Sequence, residues 1–212
     1  MPGAWEKGRP EVMVATLTRG IVPVQWASAW RDLQLPAEHR SIRLSGMPFD
    51  HARNTAVKRC LEFNFEWLFF IDDDVVVPPD AYIRLRSHEA DIISGLYYRR
   101  ALPIQPVAML RNADGSSRYA AFNPGETVEV DLVGAGCLLI HSRVLREMKP
   151  PWFEWKLDHE NLAENQKVSE DFDFCIKAKA LGFQIFLDTM VQCEHVGQGK
   201  SFVGGRFEPV GA

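Results

Sequence analysis

Residues 68–80 of this chain, LFFIDDDVVVPPD, constrain its fold more than any other stretch. Three consecutive carboxylates, at positions 72–74, stand between two apolar runs. The run before them has the length and composition of a strand buried on both faces. In open α/β sheets, ligands bind beyond the carboxyl ends of the strands. The pattern therefore predicts a carboxylate cluster at the ligand-binding edge of a sheet.

Adjacent carboxylates repel one another, and burial raises the free energy of keeping them ionised. A divalent cation relieves both costs, and carboxylate oxygens suit hard Mg²⁺ or Mn²⁺. These ions take one or two protein carboxylates and leave positions for water and phosphate oxygens. A solvated acidic turn, or carboxylates at the start of the next helix, is the simpler alternative. A haloacid-dehalogenase-type phosphatase would place a threonine after its Asp-x-Asp, whereas Val75 and Val76 follow here.

Composition limits the class of protein. The chain has 212 residues, of which 46% are hydrophobic and 25% charged, as in an ordinary globular protein. This length suits one domain, and we expect residues 1–212 to form one. The net charge of −4 argues against nucleic-acid or membrane binding that is driven by bulk charge.

The four cysteines are widely spaced and form no CxxC pair, so we expect buried, reduced thiols. They are Cys60, Cys137, Cys175 and Cys193. The first residues lack the apolar core of a signal peptide. The apolar runs are also shorter than the roughly 20 residues of a membrane helix. We expect a cytoplasmic protein without stable membrane insertion.

Apolar runs and helical periodicity alternate along the first half of the chain, and a hairpin signal appears in the second half. Expected strands cover residues 11–17, 41–44, 67–71, 91–94, 137–141 and 184–187, expected helices cover 23–33, 53–65, 80–87 and 170–181, and Asp-Gly at 114–115 marks the hairpin. This pattern predicts an α/β domain with a mixed central sheet flanked by helices. We expect residues 11–133 and 134–197 to form its two halves and 198–212 to form a mobile tail or lid.

Five segments together resemble GT-A-fold glycosyltransferases, especially family 2-like enzymes. The three aspartates after LFFI, followed by two prolines, resemble the family's Asp-x-Asp motif. The other four occur in the order that the family shows: GMPFDHARNTAVKRCLE, GAGCLLIHSRVL, SEDFDFCIKAKALGF and CEHVG. The likeness runs from about residue 11 to residue 197. It implies a Rossmann-like GT-A fold and metal-dependent transfer of a sugar from a nucleoside-diphosphate sugar, a UDP- or GDP-sugar.

The resemblance also implies a cation site and a donor site. Mn²⁺ or Mg²⁺ would be held by Asp72, Asp74 and His195. The residues expected to bind the donor are Thr16, Arg19, Arg53, Asp72, Asp73, Gly134, Gly136 and Lys200. A guanidinium such as that of Arg53 suits diphosphate oxygens. The family's separate acidic residue for the nucleotide base has no evident counterpart after the first strand, where Thr16 and Arg19 stand instead.

Asp171 resembles the family's general base, and Glu170 would hold the acceptor or orient the loop. A base is required because an acceptor hydroxyl is a poor nucleophile until its proton is removed. Acidic residues are, however, common in the first turn of a helix, where the macrodipole stabilises them. A lone histidine such as His195 is likewise often a structural hydrogen-bonding residue. Lys200 could close over the phosphates or be an ordinary solvated charge.

The sequence therefore predicts a metal-dependent glycosyltransferase that inverts the anomeric carbon, although a metal site serves inverting and retaining transfer alike. Two alternatives are a non-catalytic nucleotide-sugar-binding protein and a metal-dependent nucleotidyltransferase. The second would carry a glycine-rich, basic phosphate loop, of which ATLTRGIVP is a poor version. The acceptor stays open among a saccharide, a lipid-linked sugar, a protein and a hydroxylated nucleic-acid base. Four arginines could form a basic patch for the last of these: Arg84, Arg86, Arg99 and Arg100.

Overall fold

The structure is a computed structural model that describes residues 10–157, 167–197, 200–203 and 206–209; the last two segments are described by their backbone alone. The helices of these residues are α1 (Val24–Asp32), α2 (Phe49–Glu62), α3 (Ala81–Ser87), α4 (Ser142–Glu147) and α5 (Glu170–Ala180). The strands are β1 (Val12–Thr18), β2 (Arg40–Ser45), β3 (Trp67–Ile71), β4 (Val75–Val76), β5 (Ile92–Leu96), β6 (Ala108–Arg111), β7 (Ser117–Tyr119), β8 (Thr127–Val130), β9 (Leu132–Val133), β10 (Cys137–His141), β11 (Lys156–Leu157), β12 (Lys167–Val168), β13 (Ile185–Gln192), β14 (Glu194–Gly197), β15 (Lys200–Val203) and β16 (Arg206–Pro209).

The central sheet has seven strands among the described residues, in the order β2-β1-β3-β10-β5-β13-β8. Strands β2, β1 and β3 are parallel, β10 runs against both β3 and β5, and β13 is parallel to β5. Strand β8 closes the far edge antiparallel to β13. The sheet is therefore mixed, as the sequence predicts.

Helices cover both faces of this sheet because its central strands are apolar on both sides. In β3, Leu68 and Phe70 join the core formed with α2, α4 and α5. The alternate residues Trp67, Phe69 and Ile71 pack on the other face, with α1 and α3. All five residues are at most 3% exposed. The predicted fold class, an α/β domain with a mixed central sheet flanked by helices, is confirmed.

One local prediction needs correction. Helix α2 begins four residues earlier than expected, at Phe49, because the extended backbone of Pro48 provides its N-terminal boundary. The segment that we expected to be a mobile tail contains strands β15 and β16, which pair with each other. Strand β15 also pairs with β14, which in turn pairs with β4. Whether this segment is mobile or acts as a lid stays a prediction.

The strand directions bring five segments of the chain to one edge of the sheet. The parallel strands β1, β3, β5 and β13 all end there, and the antiparallel β10 begins there. The residues after β3 are the three aspartates, those before β10 include Gly134 and Gly136, and those after β13 include His195. Most of the predicted site residues therefore follow or precede a strand at this edge.

All four cysteines are buried and form no disulfide, as the sequence predicts. Within the described segments, no helix is long and apolar enough to cross a membrane.

Candidate functional site

The aspartate turn after β3 is fixed by backbone hydrogen bonds to its neighbouring strands. The Asp72 N–H donates to the carbonyl of Gly136 over 3.1 Å, and the Asp73 N–H donates to that of Leu17 over 3.3 Å. The Asp73 carboxylate accepts the backbone N–H of Arg19 at 3.0 Å. Asp73 thus joins the turn to the loop after β1, next to the strand end where a nucleotide was expected.

Arg53 connects this turn to the first turn of α5. Its side chain is 3% exposed, and Nη2 donates to Asp72 Oδ2 at 3.0 Å. Nε donates to Glu170 Oε1 at 3.3 Å, and Nη1 donates to the carbonyl of Ala135 at 3.4 Å. Its guanidinium also lies 5.1 Å from the ring centroid of Phe70. Because the side chain is 3% exposed and already holds three protein partners, the predicted diphosphate contact stays a prediction.

Burial dominates the electrostatics around Arg53. It raises the pKa of the Asp72 carboxyl, and Arg53 offsets this effect only in part. The pKa of Glu170 is likewise raised by burial and by the nearby charge of Asp171. Burial lowers the pKa of Arg53, but the attraction of Asp72 and Glu170 outweighs it, so the net shift is upward. Arg53 therefore stays charged and serves as the cation shared by these carboxylates.

Asp171 lies beside this pair in the first turn of α5 and is partly exposed. The Ser169 hydroxyl donates to Asp171 Oδ1, which also accepts the N–H of Phe172 at 2.9 Å. Ser169 occupies the N-cap position but makes no side-chain capping bond. Asp171 is close enough to interact electrostatically with Arg53 and Asp72. The predicted base thus lies close to the aspartate turn.

Asp74 has two cationic or potentially cationic neighbours. Arg100, after β5, places Nη1 3.0 Å from Asp74 Oδ2. His195, in β14, places Nε2 3.7 Å from the same oxygen. Burial raises the pKa of Asp74, but His195 and Arg100 outweigh it and hold this pKa below its ordinary value.

The orientation of His195 suits a metal ligand. Its Nδ1 lies 2.7 Å from the carbonyl of Tyr98, and a carbonyl can only accept, so Nδ1 carries a hydrogen. In the neutral ring this leaves the lone pair on Nε2, the atom that faces Asp74. Metal-binding histidines typically use their second ring nitrogen in this way.

The residues present fit a hard dication as an incomplete ligand set. Asp72 Oδ1 is buried and has no hydrogen-bond partner among the described residues. This oxygen, the Asp74 carboxylate and His195 Nε2 are ligands that Mn²⁺ or Mg²⁺ accepts. Nevertheless, the described segments contain no preformed cluster of three or more His, Cys, Asp or Glu side chains that could hold a metal. The expected cation site therefore stays a prediction.

Gly134 and Gly136 leave room for Tyr97. A Cβ at Gly134 would lie 2.0 Å from the Tyr97 hydroxyl oxygen, and one at Gly136 would lie 3.0 Å from its Cζ. The Gly136 N–H donates to this hydroxyl at 3.0 Å. The described residues thus give both glycines a packing reason; a sugar contact stays a prediction.

The other residues that were predicted to bind the sugar donor lie in different surroundings. Thr16 is 1% exposed inside β1, so its side chain does not face solvent. Arg19 is exposed and reaches the turn through its backbone N–H. The side chain of Lys200 lies outside the described residues.

The four arginines of the expected basic patch are engaged by separate partners. Arg84 pairs with Asp188, and Arg86 stacks 4.7 Å from the Trp67 ring centroid. Arg99 donates to the Tyr119 hydroxyl, and Arg100 pairs with Asp74. These contacts do not support a common surface for a nucleic acid.

Sequence reasoning missed Tyr97 and the role of Arg100 at the site. Both follow β5, and the sequence predicted a strand there. It did not reveal that β5 is parallel to β13 and lies beside β10. That placement, rather than any local motif, brings them to the aspartate turn.

Comparison with known proteins supports the fold class of this chain. No protein-family model matches the chain, and no curated protein matches its sequence. Solved structures do match this chain, and what they share with it is an α/β fold.

Two of the solved structures that resemble this chain cover nearly all of it. The crystal structure of A197 from STIV aligns over 95% of this chain and 95% of that chain, with 17% identity and a TM-score of 0.67. A UDP-glucose pyrophosphorylase complexed with UDP-glucose aligns over 95% and 94%, with 9% identity and a TM-score of 0.48. The first likeness shows a shared fold; the second is too low to bear on function.

Proposed function

We propose that this protein is a metal-dependent glycosyltransferase of the GT-A type. It would transfer a sugar from a UDP- or GDP-sugar to an acceptor hydroxyl, with inversion at the anomeric carbon. The observation that carries the proposal is the Arg53 bridge, which joins the aspartate turn to the helix start that bears Glu170 and Asp171. A candidate cation site and a candidate base are thereby held together.

Each part has a distinct task in this proposal. Asp72, Asp74 and His195 would hold Mn²⁺ or Mg²⁺, which supplies charge neutralisation for a diphosphate leaving group. Arg53 keeps Asp72 and Glu170 in place. Asp171 Oδ2 would take the proton of the acceptor hydroxyl, since Ser169 and Phe172 both bond to Oδ1.

A nucleotidyltransferase is the second candidate, and the hydrogen bond between the Arg19 N–H and Asp73 supports it. This bond places the Thr-Arg-Gly loop after β1 against the carboxylates, as a phosphate-binding loop would require. Against it, a sugar phosphate is an anionic nucleophile that needs no general base. The carboxylates at the start of α5 therefore favour transfer to a hydroxyl.

The test is to incubate the full chain with UDP- and GDP-sugars and Mn²⁺, and to measure release of nucleoside diphosphate. We expect release that chelation abolishes. Asp171→Asn should lower kcat by about 10²- to 10⁴-fold with donor affinity retained. Asp74→Ala should weaken Mn²⁺ and donor binding. Asp114→Asn, at the exposed turn between β6 and β7, is the control and should behave as wild type.

Four outcomes would contradict the proposal. Full activity of Asp74→Ala would refute the proposed cation site. Full activity of Asp171→Asn would refute the proposed role of Asp171 as the general base. Pyrophosphate formation from a nucleoside triphosphate and a sugar phosphate, without any nucleoside diphosphate release from sugar nucleotides, would establish the second candidate instead. Tight metal-dependent nucleotide binding without turnover would indicate a non-catalytic binding protein.

A further inference from the structure

The Asp74 carboxylate is already neutralised by a side chain of the protein. Arg100 Nη1 lies 3.0 Å from Asp74 Oδ2, the oxygen that also faces His195 Nε2. A dication bound to Asp74 Oδ2 and His195 would compete with Arg100 for the same carboxylate oxygen. The absence of a preformed metal cluster among the described residues agrees with this arrangement.

We propose that Arg100 is a displaceable internal cation, which holds Asp74 before a divalent ion binds and is released when the ion arrives. The inference rests on the proposed function, because it assumes that Asp74 binds the metal. It adds a residue that sets metal affinity, and it gives the site two alternative states.

Arg100 is suited to exchange because it is only partly buried. Its side chain is 36% exposed and that of Asp74 is 22% exposed, so water can replace either partner. Arg53 differs, since it is 3% exposed and shared by two carboxylates. A partly exposed ion pair of this kind contributes about 1 kcal/mol or less, so a bound dication can replace it. Of these two arginines, Arg100 is therefore the one that can leave.

The same guanidinium holds the strand that carries His195. Nη1 of Arg100 also donates to the carbonyl of Val196 at 3.0 Å, while the Val196 N–H donates to the carbonyl of Asp74 at 2.8 Å. Gly197 makes space for it, because a Cβ there would lie 2.5 Å from Nη1. Release of Arg100 would thus break its hydrogen bond to the backbone of β14. It would also make a guanidinium available at the site where the diphosphate is expected.

The test measures binding of Mn²⁺ alone, by electron paramagnetic resonance of the free ion, to the full chain at low ionic strength. Arg100→Gln should bind Mn²⁺ about threefold to fivefold more tightly than wild type, since the competing ion pair is gone. Arg100→Lys keeps the charge without the guanidinium fork and should fall between the two. Arg99→Gln is the matched control: it is the exposed neighbour that bonds to Tyr119, and its Mn²⁺ affinity should equal that of wild type.

The outcomes separate this inference from the proposed function. If wild type binds Mn²⁺ through Asp74 and Arg100→Gln binds it equally or less tightly, the exchange is wrong while the cation site stands. If Arg99→Gln tightens binding as much as Arg100→Gln, general surface charge is responsible and the inference fails. If neither wild type nor Arg100→Gln binds Mn²⁺, the cation site and the inference fail together. Far-ultraviolet circular dichroism checks that each variant is folded.

Discussion

At the scale of single residues, Arg53 is the side chain on which the proposed site depends most. It is one positive charge among Asp72, Glu170 and Asp171. Its guanidinium carbon lies 5.1 Å from the ring centroid of Phe70 and 6.0 Å from that of Phe153. A buried charge is tolerated only when it is paired and hydrogen-bonded. Its removal would leave the buried Glu170 carboxylate and the partly buried Asp72 carboxylate without their main partner.

We expect Arg53→Gln to lower the free energy of unfolding by about 3–5 kcal/mol, because breaking a buried ion pair leaves an uncompensated charge. Arg53→Lys should lower it less, since the charge is kept but the fork is lost. Urea denaturation measures both variants.

Arg59→Gln is the control on the same helix. Arg59 forms an exposed pair with Glu62 at 3.2 Å, and its loss should change stability by less than about 1 kcal/mol. Equal effects at positions 53 and 59 would contradict the structural role assigned to Arg53.

Single residues also show what the sequence could reveal about the site. Asp72, Asp74, Glu170 and Asp171 could be predicted as site residues because short motifs carry them. Contacts between side chains were not predictable: Arg53 was expected to face a ligand but bonds to carboxylates 19 and 117 positions away. The space that Tyr97 takes beside Gly134 depends on the packing of two distant segments, which no local pattern records.

At the scale of secondary-structure elements, α3 is attached to the sheet by a buried acid. Asp188, in β13, is fully buried, and Oδ2 lies 2.8 Å from both Arg84 Nε and His88 Nε2. Its other oxygen accepts the N–H of Met190 at 2.8 Å. Burial raises the pKa of Asp188, but these hydrogen bonds and charges outweigh it, so the net pKa is lowered from its ordinary value of 3.8.

This shift makes a prediction about acid stability. A carboxyl whose pKa is lower in the folded state stabilises the protein above the unfolded value, and this contribution is lost as the pH falls through the folded pKa. Asp188→Asn should therefore lower the free energy of unfolding at pH 7 by about 1–3 kcal/mol. It should also show a weaker fall in stability below about pH 4 than wild type.

Urea denaturation between pH 3 and pH 7 is the measurement, and Asp80→Asn, an exposed residue at the start of α3, is the control. His88→Gln provides a second, milder variant that keeps Asp188 ionisable. An acid dependence of Asp188→Asn identical to that of wild type would refute this attachment.

The elements themselves were predicted well where the pattern was long and apolar. Strands β1, β3 and β10 and helix α5 lie close to their expected positions, because burial on a regular period fixes them. The short strands β4, β11, β12 and β14 were not expected. Two to four residues carry too little periodicity, and such strands form only when a partner from elsewhere supplies the hydrogen bonds.

At the scale of the whole molecule, the sheet buries all four thiols. Cys60, Cys137 and Cys175 are 0% exposed and Cys193 is 1% exposed, and they are distributed over the two core clusters. Burial raises the pKa of the Cys175 thiol. A hydrogen bond to Cys137, together with burial, raises the pKa of the Cys193 thiol. The reactive thiolate form of both is therefore disfavoured in the folded protein.

We expect all four thiols to react with a disulfide-exchange reagent only when the molecule unfolds as a whole. Their reaction rates in increasing urea should rise together and follow the unfolding transition observed by circular dichroism. The reference is the fully denatured chain, in which all four should react at once. Rapid reaction of one thiol in native conditions would show that its part of the core opens separately.

The central position of β10 has a consequence for how the protein is made. This strand runs between β3 and β5, and the Arg53–Glu170 bond spans 117 positions of the chain. A ribosome-bound chain that has released α2 but not α5 cannot hold the carboxylate cluster together. The carboxylate cluster at this edge of the sheet would therefore assemble only after α5 has left the ribosome.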